Sequence, residues 1–279
     1  MMISSPHNVR VRSLAALRRR QERERAGVVP VEGYEELSVA LDSGARPLSL
    51  YYCPALVRDP SQLQLRERTR AAGAELVELG PAAFQRVAYR QNPDGWLGLF
   101  RPPPTSLEAL ETRPDALLLV CESVEKPGNL GAMLRTADAA GVDAVIAAAP
   151  GTDWGNPNLV RASKGSVFSV PLGQAGSREV LDWLAVRRIG VVAAVPEAEA
   201  SFTEVDLTGA VAIAVGSEKH GLSGAWLERA VSQARIPMFG RVNSLNVATA
   251  AALLLHEALR QRGRLPLRAQ PFGRPPPRR

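Results

Sequence analysis

A chain of 279 residues is long enough for two domains, and 46% hydrophobic with 22% charged residues is an ordinary globular composition. No run approaches the roughly 18 apolar residues of a membrane-spanning helix, while two cysteines and three scattered histidines argue against a disulfide framework or a zinc site. The net charge of +6 is unevenly placed: seven Arg against two Glu in residues 1–30, seven Arg and no acid in 258–279, and 20 basic against 26 acidic residues between them.

Basic ends on a mildly acidic body suit contact with a polyanion, although solvated tails would look the same. The opening residues lack the basic, apolar, small order of a secretory signal, so the cytoplasm is the expected compartment. After a basic N-terminal segment at 1–30, a helix is expected over 31–43, ended by Gly44. Strands are predicted over 47–53, 75–79 and 95–100, with helices near 60–72 and 82–87. This makes a small α/β unit over 31–101. Pro102-Pro103-Pro104 opens a linker at 102–114, since three prolines fit neither a helix interior nor a central strand.

The alternation is clearer in 115–263. Apolar runs of strand length at 116–121, 144–149, 167–171, 191–195, 210–215 and 234–238 alternate with helical stretches at 130–140, 158–164, 178–188, 222–232 and 245–262. Short apolar strands alternating with helices imply a parallel sheet covered on both faces. The proline-rich, basic 264–279 is expected to be disordered.

Ligands of open parallel sheets sit beyond the carboxyl ends of the strands, and three glycine-containing loops occupy such places. The first, from Glu122, carries Asn129 at an expected helix start, where it could be an N-cap, and Arg135 two turns in. An Arg among small apolar helix residues needs an anion or bears a desolvation cost; pairing with Asp138 or Asp143 is the structural alternative. The second loop, 216–224, has phosphate-loop glycine spacing, but Leu222 stands where the phosphate-binding Lys belongs, and no G-x-G-x-x-G follows a strand. Nucleotide hydrolysis and dinucleotide binding are therefore disfavoured. Glu218 lies in this loop, with helix capping as its plain alternative. The third, 236–250, places Asn243, Ser244 and Asn246 at one helix start, more polar groups than a cap requires.

Together these segments resemble the SpoU (TrmH-like) RNA 2′-O-ribose methyltransferases of the SPOUT class. The motif N-x-G-x-x-x-R appears as Asn129, Gly131 and Arg135, and G-x-E-x-x-G-L-S as Gly216, Glu218, Gly221, Leu222 and Ser223. The third, I-P-M-x-G-x-x-x-S-L-N-V, runs from Ile236 to Val247. Asn156-Pro157-Asn158 and Arg161-Ala162-Ser163 are similar to the family's middle segment. Lys219-His220 and Thr249 depart from the pattern without touching a site residue. Glu32-Gly33 and the stretch from Arg90 to Gly95 resemble the small RNA-recognition domain of some members.

The resemblance implies a parallel-sheet domain with a C-terminal trefoil knot, holding S-adenosylmethionine against main-chain groups of Gly216, Ile236 and Leu245, with Met238 and Leu222 beside the adenine. It implies ribose 2′-O-methylation in structured RNA, pointing to 23S ribosomal RNA. A transfer RNA enzyme and a catalytically silent RNA-binding or ribosome-assembly factor are the alternatives. Arg135 would bind phosphate and hydroxyl, with Asn129, Glu218, Ser244 and Asn246 shaping the pocket. No metal is implied, because the leaving group departs neutral. A homodimer is implied, and the apolar stripe at 248–259 suits either that interface or the core. His256 in the same helix reads as structural.

Overall fold

A computed structural model describes residues 2–265; of the stretch 264–279 expected to be disordered, Arg264 is instead held, its amide donating to the Leu259 carbonyl at 2.9 Å and its guanidinium 2.7 Å from Asp115, and 266–279 lie outside the described residues. The first of two sheets has four strands: β1 (Val29–Glu32), β2 (Pro47–Tyr52), β3 (Glu75–Glu78) and β4 (Trp96–Phe100), ordered β1-β4-β2-β3. β4 runs antiparallel to both its neighbours, and β2 is parallel to β3. Five helices belong to this unit: α1 (Val9–Ala16), α2 (Arg20–Ala26), α3 (Tyr34–Asp42), α4 (Gln64–Ala71) and α5 (Pro81–Val87).

The basic segment at 1–30 is part of this fold. Val11, Leu14 and Leu17 are buried with Val77, Leu79, Phe84 and Val87, and Ile3 bridges to Leu79 at the sheet. Arg23 is buried too, 2.7 Å from Asp153, and donates to the carbonyls of Leu17 and Arg18 at 2.9 and 3.0 Å. The helix expected from 31 begins only at Tyr34, because 29–32 pairs with β4 and Gly33, at φ +114°, turns the chain.

The second sheet holds β5 (Leu117–Glu122), β6 (Ala144–Ala148), β7 (Leu172–Ala175), β8 (Gly190–Ala194), β9 (Val211–Val215) and β10 (Ser232–Ala234). All pairs are parallel, in the order β10-β8-β9-β5-β6-β7. Five helices cover it: α6 (Pro127–Ala140), α7 (Pro157–Ala162), α8 (Ser177–Val186), α9 (Gly224–Arg229) and α10 (Val247–Gln261). Every residue of β5, β6 and β9 is buried, as strands covered on both faces must be. Leu130, Met133, Leu254 and Leu255 fill one face, and Val180, Leu184 and Trp226 the other. The first face is continuous with Val29, Val31 and Leu37, so the two sheets share a core.

Three predicted elements shift. The apolar run at 167–171 is not a strand: Gly165, at φ +83°, leads into a 3-10 turn at Ser166–Phe168, and the strand starts at Leu172. The helix expected over 222–232 is confined to α9. The strand expected over 234–238 lies at 232–234, since Pro237 has no N–H for a ladder.

Candidate functional site

β5 and β9 are neighbours, but the helices that follow them, α6 and α9, lie on opposite faces of the sheet. The order therefore reverses at this pair, and such a reversal opens a crevice at the strand ends. The three loops singled out in the sequence meet there.

Asn129 is not the N-cap. Lys126 holds that position, Pro127 supplies the first helical residue, and Asn129 lies within the first turn of α6. Its side chain is thereby free to reach across. The Asn129 amide donates to Oε1 of Glu218 in the loop after β9, and its carbonyl accepts from Nδ2 of Asn246 at 3.2 Å. Asn246 is itself the N-cap of α10, its Oδ1 accepting from the Ala248 amide at 2.9 Å. Glu218 thus serves as an acceptor for Asn129 and not as a helix cap. Residues 89 and 117 positions apart in sequence become one chain of hydrogen bonds. Ser244 is not drawn in; its hydroxyl reaches only Asn243, at 3.5 Å.

Arg135 lies six residues beyond Asn129 on α6 and is exposed, so no desolvation cost arises. Neither expected acidic partner takes it: Asp138 accepts from the Ser169 hydroxyl, while Asp143 pairs with Arg113 and caps the Leu117 amide. Among the described residues the Arg135 guanidinium has no hydrogen bond or ion pair, which leaves its five donors to an external anion.

Gly216 has a reason internal to the protein. The loop doubles back through reciprocal main-chain bonds between Ser217 and Gly221, and a Cβ on Gly216 would lie 2.0 Å from the Gly221 carbonyl carbon. Leu222, Ile236, Met238 and Leu245 are half-buried around the same crevice loops. Residues 236–245 form no main-chain hydrogen bonds with the described residues, so their peptide groups remain available. A strip of available amides and carbonyls beside apolar side chains fits a ligand with a neutral heterocycle and an amino-acid tail, as S-adenosylmethionine has.

One residue escaped the sequence reading. Glu122 ends β5, is buried, and accepts from the Ser223 amide at 2.7 Å and from the hydroxyls of Ser223 and Ser177 at 2.8 Å each. It fastens the Gly216 loop and the start of α8 to the end of β5. An acid closing the otherwise apolar run from Leu117 was the available signal. The neighbouring Cys121 is buried and its thiol is pushed up to about 12 by that burial, so it is no nucleophile.

Comparison with known proteins adds to this geometry. The SpoU rRNA Methylase family model matches residues 116–256, and the MRM3-like substrate binding domain model matches residues 8–98. The chain is 32% identical over 255 residues to the 23S rRNA (uridine(2479)-2′-O)-methyltransferase of Streptomyces viridochromogenes, covering 89% of this chain and 88% of that one. It is 29% identical to the 23S rRNA (guanosine(2553)-2′-O)-methyltransferase RlmP of Bacillus subtilis, covering 91% and 97%. Among solved structures, an RNA 2′-O ribose methyltransferase is 44% identical, with a TM-score of 0.83 over 94% of this chain and 99% of that one. The SpoU methyltransferase AviRb of Streptomyces viridochromogenes in complex with AdoMet is 31% identical, with a TM-score of 0.83 over 92% and 98%.

Proposed function

This chain belongs to the SpoU rRNA methylase family, and on that premise we propose that it transfers a methyl group from S-adenosylmethionine to a ribose 2′-hydroxyl of 23S ribosomal RNA. The observation that carries the reading is the meeting of Asn129, Glu218 and Asn246, one from each loop, at the reversal point of the sheet. Relatives from Streptomyces viridochromogenes and Bacillus subtilis that match along most of their length are named for 23S rRNA, which favours that RNA over transfer RNA.

S-adenosylmethionine, when bound, supplies a methyl group activated by a sulfonium. The main chain of Gly216, Ile236 and Leu245 would hold it, with Met238 and Leu222 flanking its adenine. Arg135 grips the backbone phosphate beside the target sugar and points its remaining donors at the 2′-oxygen. A guanidinium has donors and no acceptor, so its work is to orient the oxygen and stabilise the negative charge that develops as the proton leaves. Asn129, Glu218 and Asn246 form a hydrogen-bonded wall of the pocket, and Ser244 lies on the same loop as Asn246.

The wider architecture follows the same reading. The chain leaves β10 at the sheet edge and passes the strand ends through 235–246. α10 then buries Leu254 and Leu255 in the same core face as α6, the path on which a trefoil knot would close. Ala251, Leu254, Leu255 and Ala258 of the apolar stripe serve this core. Exposed Leu253, Phe239 and Val242 remain for a homodimer contact. A ribosomal RNA substrate places the enzyme in the cytoplasm; no helix among the described residues is long and apolar enough to cross a membrane.

The test is methyl transfer from labelled S-adenosylmethionine to unmodified 23S rRNA, 16S rRNA and transfer RNA, with the product nucleotide mapped. Label at a single 23S ribose supports the reading. Label confined to transfer RNA overturns the substrate, and no transfer by folded protein overturns the activity.

A further inference from the structure

Resting on the reading that the substrate is RNA, we propose that Lys164 is a phosphate ligand of that substrate, and that in the RNA-free protein the Glu35 carboxylate occupies the place of the phosphate.

Lys164 follows α7 with φ +53°, the left-handed region where a side chain is unfavourable and glycine is at ease. It closes the helix: its amide donates to the Arg161 carbonyl at 3.0 Å, and that of Gly165 to the Val160 carbonyl at 3.1 Å. Nothing in that cap needs an ammonium group. The Lys164 side chain instead crosses to the N-terminal unit, where Nζ lies 2.6 Å from Glu35 and 3.9 Å from Glu36. Glu36 is buried and already pairs with Arg90 at 2.8 Å. Glu35, 70% exposed, is the carboxylate that Lys164 holds at the surface.

An ion pair this exposed contributes little to stability, so it is not what keeps the two units together. Buried contacts do that. A Cβ on Gly165 would lie 2.8 Å from the Glu36 carbonyl oxygen, and Arg23 reaches Asp153 in the shielded seam. The exposed pair is free to serve another purpose.

Its place in the fold indicates which. α7 is pressed onto α6 at Gly131, where a Cβ would be 2.6 Å from the Leu159 carbonyl oxygen and 2.7 Å from the Ala162 Cβ. Arg135 follows Gly131 by one turn on the same side of α6. The end of α7, carrying Lys164, and Arg135, which has no partner among the described residues, therefore border one seam, with Glu35 as the acid at its rim. The fields agree with the packing: Glu35 is held below the ordinary carboxylate range first by the hydrogen bond and charge of Lys164, then by Arg90 and Arg135. A phosphodiester has two free oxygens and one negative charge. It can replace the Glu35 carboxylate on the Lys164 ammonium and offer its second oxygen to the neighbouring Arg135 guanidinium.

Two substitutions separate this role from a structural bridge, because the proposal gives them opposite signs. Lys164→Gln should raise the KM for RNA about fivefold to tenfold and reduce the salt dependence of RNA binding by about one contact. Glu35→Gln, which removes the competitor, should lower the KM for RNA. Lys164→Arg should keep most of the affinity, and S-adenosylmethionine binding should be unchanged in all three. If both Gln variants shift RNA binding in the same direction, or neither shifts it while the melting temperature falls, the proposal is wrong. Wild-type protein that methylates RNA normally in that experiment would leave the function reading standing; wild-type protein inert toward RNA would end both.

Discussion

The side-chain amide of Asn129, in the first turn of α6, donates to the carboxylate of Glu218, 89 positions later in the loop after β9. The bond exists because β5 and β9 lie side by side, and it ties together the two loops that follow these strands.

Glu218→Gln keeps the shape of that contact and removes its charge. Turnover should fall about 10²-fold, the scale of a pre-organised polar contact at a reacting centre, while thermal unfolding stays close to that of the parent. Asn129→Ala severs the links to both Glu218 and Asn246 and should lose more. Normal turnover in Glu218→Gln would reduce the carboxylate to a spacer.

Arg135→Ala should lower kcat about 10²- to 10³-fold with little change in S-adenosylmethionine affinity by calorimetry, because the contacts proposed for the cofactor are main-chain groups of other loops. The residue is exposed and, among the described residues, unpaired, so stability should move by no more than about 0.5 kcal/mol. Arg135→Lys retains the charge and loses the two-pronged geometry, and an intermediate rate is expected. Weakened cofactor binding in the alanine variant would show that the side chain faces the cofactor instead.

Glu122 is held by three donors from Ser177 and Ser223 and, among the described residues, by no cation. Glu122→Ala releases the Gly216 loop from the end of β5. Affinity for S-adenosylmethionine should drop about tenfold, the scale seen when a supporting contact behind a ligand is lost, together with a lower melting temperature. Unchanged cofactor affinity would confine Glu122 to the fold.

Arg23→Ala leaves Asp153 without its cation inside the seam and strips the carbonyls of Leu17 and Arg18 of their donor. Removing one partner of a buried pair costs about 3–5 kcal/mol, so the urea midpoint should fall sharply. Deleting 4–25 should give insoluble protein, since α1 buries Val11 and Leu14. A soluble, active truncation would show that these helices are dispensable.

Burial raises the Glu32 carboxyl above its ordinary 4.5, against the pull of the Tyr89 amide and Arg90. The folded state therefore binds this proton more tightly than the unfolded chain does. The resulting stabilisation is complete below pH 4.5 and is lost as pH rises through the folded value. Glu32→Gln lacks this slope, so its melting temperature should gain on the parent's between pH 4.5 and 7.5. Parallel curves would mean that the carboxylate is compensated in place.

Most strands and helices were legible in the residues, because periodicity and apolar runs report local backbone directly. The glycine of the loop at 216 likewise announces itself by what its own backbone requires, whereas the helix start at Pro127 and the cap at Asn246 lay two or three residues and one residue, respectively, from the starts expected in the sequence. Where an element was misplaced, a non-local partner decided it: 29–32 became a strand because β4 lay beside it, and α1 became a helix because α5 and β3 offered it a core.

By itself, then, the sequence determined the α/β class, the three loops and the residues that could carry chemistry. Only the tertiary structure decided which of them meet. Asn129, Glu218 and Asn246 converge, Ser244 stays apart, Arg135 remains open to an anion, and Glu122 and Lys164 acquire partners 101 and 129 positions away. The reason is physical: a side-chain bond forms where strand order brings two loops together, and no local pattern of residues encodes that order.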